Sequence, residues 1–156
     1  MKSLVLLITA ASVFIGCNKN DSGCTPVTPA SEGPAMAAFC SDFGIPYTVD
    51  SNGIYYQVVD AGYGETAGMD SIITVNYSTS LLNGDIVDTL HLTTPISGTL
   101  KQFIEGWRLA IPYIQEGGHI KMVIPSALAY GCTGNSGLVP PNSPLYYDVV
   151  LLDVSH

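Results

Sequence analysis

Positive charge is scarce in this 156-residue chain. Five Lys and Arg stand against 13 Asp and Glu, for a formal net charge of −8. Binding nucleic acid, or acidic lipid through a polybasic patch, needs clustered cations, so this balance argues against both. Metal-ligand spacing is missing too. No Cys-x-x-Cys or His-Glu-x-x-His occurs, the spacing of an EF-hand loop is absent, and His91, His119 and His156 are scattered. No metal or other cofactor is expected. The sequence offers no convincing nucleophile or general base, no internal repeat, and one tryptophan, Trp107. The longest apolar run, Leu4 to Ile15, falls short of the ~20 residues a spanning helix needs.

That run follows a short positive head, Met1-Lys2-Ser3, and together they fit a secretory signal. Phe14-Ile15-Gly16-Cys17 resembles a bacterial lipobox, in which the cysteine is acylated and becomes the mature N-terminus. An ordinary signal peptide that happens to hold a cysteine is the alternative. The first reading makes residues 1–16 a lipoprotein signal and Cys17 the lipidation site. It places the protein in the cell envelope, in the outer membrane or periplasm of a Gram-negative bacterium. Two acyl chains anchor stably where one is marginal. The mature chain, 17–156, keeps four of the five basic residues, so its side-chain balance is 4 − 13 = −9. That favours solubility at the end of a tether and names no partner; a monomer is expected. Cys24, Cys40 and Cys132 then remain, an odd number that allows one internal pair. Export permits a disulfide. Cys24 with Cys40 would close a short loop; Cys132, between Gly131 and Thr133, reads as a small buried filler.

Residues 18–38 are rich in Pro, Gly, Ser, Thr and Asn and read as tether, so 17–44 is assigned to acylated Cys17 and a flexible linker, and 45–156 to one domain. Strands are expected at 54–60, at 71–79, from Asp85 to Leu90 after the Asn83-Gly84 turn, at 119–125 and at 144–153. In the second of these Ile73, Val75 and Tyr77 share one face and Thr74, Asn76 and Ser78 the other, the period of a half-buried antiparallel strand. Residues 91–98 have no clean period and read as a loop or poor edge strand. Phe103, Trp107, Ala110 and Ile114 recur at helical spacing until Gly117-Gly118 stops the element. Pro112 should shorten its last turn, because it lacks the N–H that would bond to the Arg108 carbonyl. A long loop, Ser126 to Ser143, precedes the last strand; loops of that length are often functional. The class is α+β: a curved antiparallel sheet wrapped around one short helix.

Several stretches then meet a known pattern: Val75-Asn76-Tyr77, Asn83-Gly84-Asp85-Ile86-Val87-Asp88, Phe103-Ile104-Glu105-Gly106-Trp107, Ile124-Pro125 through Tyr130-Gly131, Gly137-Leu138-Val139-Pro140-Pro141, and Tyr147-Asp148-Val149. In this order and spacing they resemble the FKBP-type peptidyl-prolyl cis-trans isomerases, over about residues 53 to 154. With the leader, the chain resembles a bacterial lipoprotein form of that family. The resemblance implies an apolar pocket between helix and sheet. It makes Trp107 the floor and Tyr77 and Phe103 the walls, with Ile104 offering its backbone N–H. It puts Asp88 beside the pocket, Tyr130 as a hydrogen-bond donor from the long loop, Leu138 and Val139 at the rim, and Tyr147 on the last strand. Tyr77, Asp88, Trp107 and Tyr130 are thus the candidate catalytic residues, and Val87, Phe103, Ile104, Leu138, Val139 and Tyr147 the candidate substrate-binding ones.

The chain also departs from the family. Val87 stands where the pattern has phenylalanine, and no aromatic occurs between Tyr77 and Phe103, so a wider, less aromatic pocket is expected. Tyr147 adds a hydroxyl where the pattern is phenylalanine, and that hydroxyl needs a partner if buried. The implied function is isomerisation of X–Pro bonds in unfolded or extended exported polypeptides, without a cofactor. A catalytically weak peptide-binding or chaperone-like lipoprotein is the alternative.

Overall fold

The computed structural model describes residues 23–88, 91 and 93–156. The apolar leader and Cys17, with their proposed signal and lipidation, lie outside the described residues. The chain order is α1 (Pro29–Asp42), β1 (Thr48–Val49), β2 (Tyr55–Asp60), β3 (Ile72–Leu81), β4 (Ile86–Asp88), β5 (Ile96–Thr99), α2 (Glu105–Ala110), β6 (His119–Ile124) and β7 (Leu145–Ser155). The strands form one antiparallel sheet in the order β1-β2-β6-β7-β3-β4, and β5 pairs with the first half of β3.

Alternation along the strands decides which side chains are buried. Ile73 and Val75 of β3, Ile120, Met122 and Ile124 of β6, and Tyr147, Val149 and Leu151 of β7 all bury on one face. Helix α2 lies over that face and contributes Trp107 and Ala110 to the same cluster; Ile111 and Ile114 follow from the turn after it. The approach is close because Gly106 has no side chain: a Cβ there would stand 2.4 Å from Ile124 Cγ2. Pro112 ends the α-helical hydrogen bonding as expected, and Ile111–Tyr113 is a 3-10 turn. The β3–β4 hairpin turns at Gly84, whose φ of 91° disfavours any side chain. The stretch with no clean period includes a short strand, β5, because Ile96 to Thr99 pairs with Ile72 to Val75.

The opposite sheet face is covered as well, and here the structure corrects the sequence reading. The stretch assigned to flexible tether contains α1. Thr28 caps it by accepting from the Ser31 N–H at 3.3 Å, Pro29 occupies its first turn, and Glu32 follows in the same turn. Gly33 and Pro34 are poor helix formers, but burial of Met36, Phe39 and Cys40 against Val123, Tyr55 and Tyr146 outweighs that propensity. The disulfide is corrected too. Cys24 bonds to Cys132, 108 residues away, with Cα atoms 5.4 Å apart, and Cys40 is a free, buried thiol. The reason is α1 itself, which turns Cys40 into the core while the arm before it runs beside the long loop. There the Asn142 side-chain N–H donates to the Thr25 carbonyl at 3.1 Å.

Candidate functional site

The cavity lies at one end of α2 and is built from four elements. Helix α2 supplies Trp107, 2% exposed, whose ring forms the base. The turn before the helix brings Phe103, stacked on Trp107 with centroids 5.1 Å apart. Strands β3 and β7 bring Tyr77 and Tyr147, each edge-on to the indole at 5.2 and 5.4 Å. The long loop brings Tyr130, and β5 brings Ile96. With Gln102 and Ile104 these side chains enclose about 270 Å³. Edge-to-face and stacked contacts are the favourable geometries for aromatic rings, so the rings support one another around the cavity.

Its polar groups are few and placed. The Tyr77 hydroxyl donates to Asp88 Oδ2 at 2.8 Å. Burial, followed by the hydrogen bond to Asp88 and its charge, pushes the Tyr77 phenol well above the ordinary tyrosine range, so it stays a donor at any working pH. Burial also pushes Tyr147 upward, and its hydroxyl is faced by Tyr130 and by Thr79. Ile104 is the residue that caps α2; its carbonyl accepts from the N–H groups of Trp107 and Arg108. As the capping residue its own N–H has no place in the helical ladder. The Trp107 indole N–H is buried without a hydrogen-bond partner among the described residues.

The structure therefore gathers Tyr77, Phe103, Ile104, Trp107, Tyr130 and Tyr147 around one cavity, with Asp88 behind Tyr77. It does not bring Val87, Leu138 or Val139 to that lining. Val87 packs against the core cluster. Val139 is buried in the same core at 4% exposure, while Leu138, beside it in a turn closed on the Asn135 carbonyl, points outward at 58%. Two residues that sequence reasoning missed stand where an aromatic wall was thought lacking. Ile96 lines the cavity, and His91 stacks on Tyr77 at 5.1 Å while its Nε2 lies 3.7 Å from Asp88. Neither was visible beforehand, because residues 91–98 show no period and only the β3–β5 register brings Ile96 inward. Among the described residues no three His, Cys, Asp or Glu side chains are grouped to hold a metal.

A helix laid across an antiparallel sheet, over a small aromatic cavity with a few fixed donors, is a shape that suits a small apolar group with hydrogen-bond acceptors beside it. A model of the FKBP-type peptidyl-prolyl cis-trans isomerase family matches residues 64–152, more than half of the chain. The chain belongs to that family. It is 45% identical over 105 residues to the FKBP-type peptidyl-prolyl cis-trans isomerase FkpA of Escherichia coli K12, covering 67% of this chain and 38% of that one. It is 34% identical over 105 residues to the peptidyl-prolyl cis-trans isomerase Mip of Coxiella burnetii, covering 67% and 46%. The crystal structure of FkpA from Escherichia coli superposes with a TM-score of 0.71 at 38% identity, over 81% of this chain and 61% of the other. That of a peptidyl-prolyl cis-trans isomerase from Pseudomonas syringae gives 0.69 at 27% identity, over 85% and 99%. The chain spans less than half the length of the curated relatives it matches.

Proposed function

We propose that this chain catalyses cis–trans isomerisation of X–Pro bonds in exported polypeptides. The observation that carries the reading is the cavity over Trp107, walled by aromatic rings, Ile96 and Ile104 and supplied with the phenol groups of Tyr77, Tyr130 and Tyr147. Rotation about an X–Pro bond makes and breaks no covalent bond. Its barrier is the loss of amide resonance, which makes the step take tens to hundreds of seconds unaided. Twisting lowers the amide's charge separation. A dry apolar cavity thus binds the twisted amide better than the planar one, and that difference lowers the barrier. The proline ring fits between Phe103 and Tyr77 above the indole, and Tyr130 and the Ile104 N–H hold flanking carbonyls. Asp88 acts through Tyr77, fixing its hydroxyl. No cofactor takes part. The substrates are proline-containing unfolded or extended chains, and an apolar residue before the proline suits the walls.

The leader supports an envelope location. Residues 1–16 are proposed as a lipoprotein signal and Cys17 as the acylated residue, anchoring a monomer outside the cytoplasmic membrane. The domain is assigned to 45–156, with α1 docked on it and Cys24 fixed by its disulfide.

The test uses the chain from residue 17 with Cys17→Ser, which retains every described residue. It should accelerate cis-to-trans relaxation of an X–Pro test peptide in proportion to its concentration. Peptide binding without acceleration would leave the family's fold in use as a binding module only. For the anchor, Cys17→Ser in the full chain should move the protein from the membrane to the soluble fraction.

A further inference from the structure

A second hollow, of about 360 Å³, lies on the sheet face opposite the aromatic cavity. Strand register builds it. Lys121, Asp148 and Ser78 form one cross-strand row, and Val123, Tyr146, Ser80 and Ile86 form the next. The small side chains of Ser78 and Ser80 leave a depression between taller neighbours. Phe43, just past α1, rises on one side at 63% exposure, and Ile86 on the other at 70%. Both side chains line the hollow with Phe39, Ile45 and Tyr146, so its apolar surface is contiguous.

The charge in the hollow is Lys121. Its ammonium stands 4.0 Å from Asp148 Oδ2, beyond hydrogen-bond length, and donates to no other side chain among the described residues. Asp148 is engaged elsewhere: His119 Nε2 meets Oδ1, and the Tyr146 hydroxyl donates to Oδ2 at 3.3 Å. Lys101 is paired with Asp70 at 2.7 Å, and Arg108, which like Lys121 only neighbours a carboxylate (Glu105, at 3.8 Å), lies outside this hollow. In a chain of net charge −8, a half-buried lysine with open donors beside two apolar lips is complementary to one kind of group, a carboxylate attached to an apolar body. The hollow also adjoins β4, the last strand of the sheet among the described residues, a place where an extended chain can pair.

We propose that this hollow is a second binding site for extended polypeptide. It takes a bulky apolar side chain between Phe43 and Ile86 and a neighbouring Asp or Glu carboxylate on Lys121. The site needs no proline and is independent of the isomerase reading. A long client could occupy both faces at once, with the gain in affinity that linked contacts give.

The probe is a proline-free, fluorescein-labelled peptide, Gly-Ser-Phe-Glu-Ser-Gly, and its twin with Gln in place of Glu. Both are titrated at low salt into the Cys17→Ser chain from residue 17, with binding read by anisotropy. The Glu peptide should bind about tenfold tighter, the worth of one charge-assisted hydrogen bond. Lys121→Gln should erase that preference, Lys121→Arg should keep it, and neither should alter X–Pro relaxation. Phe43→Ser should weaken both peptides alike. Trp107, the sole tryptophan, belongs to the other face, so its emission should not change. Equal affinity for the two peptides, no saturation at millimolar peptide, or displacement by a proline peptide with a change in Trp107 emission would each overturn the proposal. So would self-association abolished by Phe43→Ser, which would place a second copy of the chain in the hollow.

Discussion

At the residue scale the cavity depends on rings that hold each other. Trp107 touches Phe103, Tyr77 and Tyr147 at once, so Trp107→Ala removes the base and loosens three walls. Truncating a buried aromatic costs about 3–5 kcal/mol. The expected outcome is a lowered denaturation midpoint together with loss of X–Pro acceleration. Tyr130→Phe tests one hydrogen bond, worth about 1 kcal/mol, so relaxation should slow about fivefold while the denaturation midpoint holds. Away from the cavity, Asp50 carries a pH dependence. Its carboxylate accepts from the N–H groups of Ile54 and Asn52 at 2.8 and 2.9 Å and from the Tyr113 hydroxyl at 2.9 Å. Burial raises its pKa, but the bonds from Ile54, Asn52 and Tyr113 outweigh that and leave it below the ordinary aspartate value. A depressed folded pKa means stability that is present above the unfolded value, about 3.9, and lost as the pH falls through the folded one. The thermal unfolding midpoint should therefore fall more steeply below about pH 4 in the wild type than in Asp50→Asn.

At the scale of elements, the approach of α2 to β6 and the docking of α1 decide the architecture. Gly106→Ala would place a methyl group 2.4 Å from Ile124 Cγ2. Overpacking of this kind costs about 1–3 kcal/mol, to be read as a lowered denaturant midpoint. Helix α1 reaches the other side of the molecule through one buried side chain. Glu32 is 7% exposed, and its Oε2 accepts from the Ser126 N–H at 2.8 Å, at the start of the 3-10 turn that leads to Tyr130. Glu32→Ala leaves that N–H buried and unpaired, a loss of about 1–3 kcal/mol. Faster hydrogen exchange should follow at Ser126 and in the loop beyond it, with Glu32→Gln nearer to wild type. The strands were legible in the sequence because period two survives in β3, β6 and β7. Helix α2 was legible from its apolar spacing. Helix α1 was not, since Gly33 and Pro34 are poor helix formers and leave only the short apolar spacing of Met36, Phe39 and Cys40, which becomes a helix by packing against Val123 and Tyr146.

For the whole molecule, the Cys24–Cys132 disulfide ties the N-terminal arm to the loop that carries Tyr130. It closes most of the chain, so reduction releases a long loop in the unfolded state. Disulfides typically contribute about 2–4 kcal/mol, and Cys24→Ser with Cys132→Ser should lower stability by that order. Thiol titration of the Cys17→Ser chain should find no fast-reacting thiol before denaturation and one after it. Burial raises the Cys40 thiol and shields it, and Cys24 and Cys132 are spent on each other.

By itself, the sequence determined the α+β class, the strand alternation, the shortened helix at Pro112 and, through the order of its motifs, the family. Each of these is a local or linear property, written in the spacing of apolar residues and turn formers. Only the tertiary structure decided which residues share a space. Register brought Ile96 to the cavity, the chain before β5 stacks His91 on Tyr77, and Val87, Leu138 and Val139 stay off the lining. Packing made a helix of α1 and so gave Cys24 a partner other than Cys40. The reason is the same in each case: burial and pairing are set by contacts between residues far apart in the chain, and a linear pattern records only one partner of each.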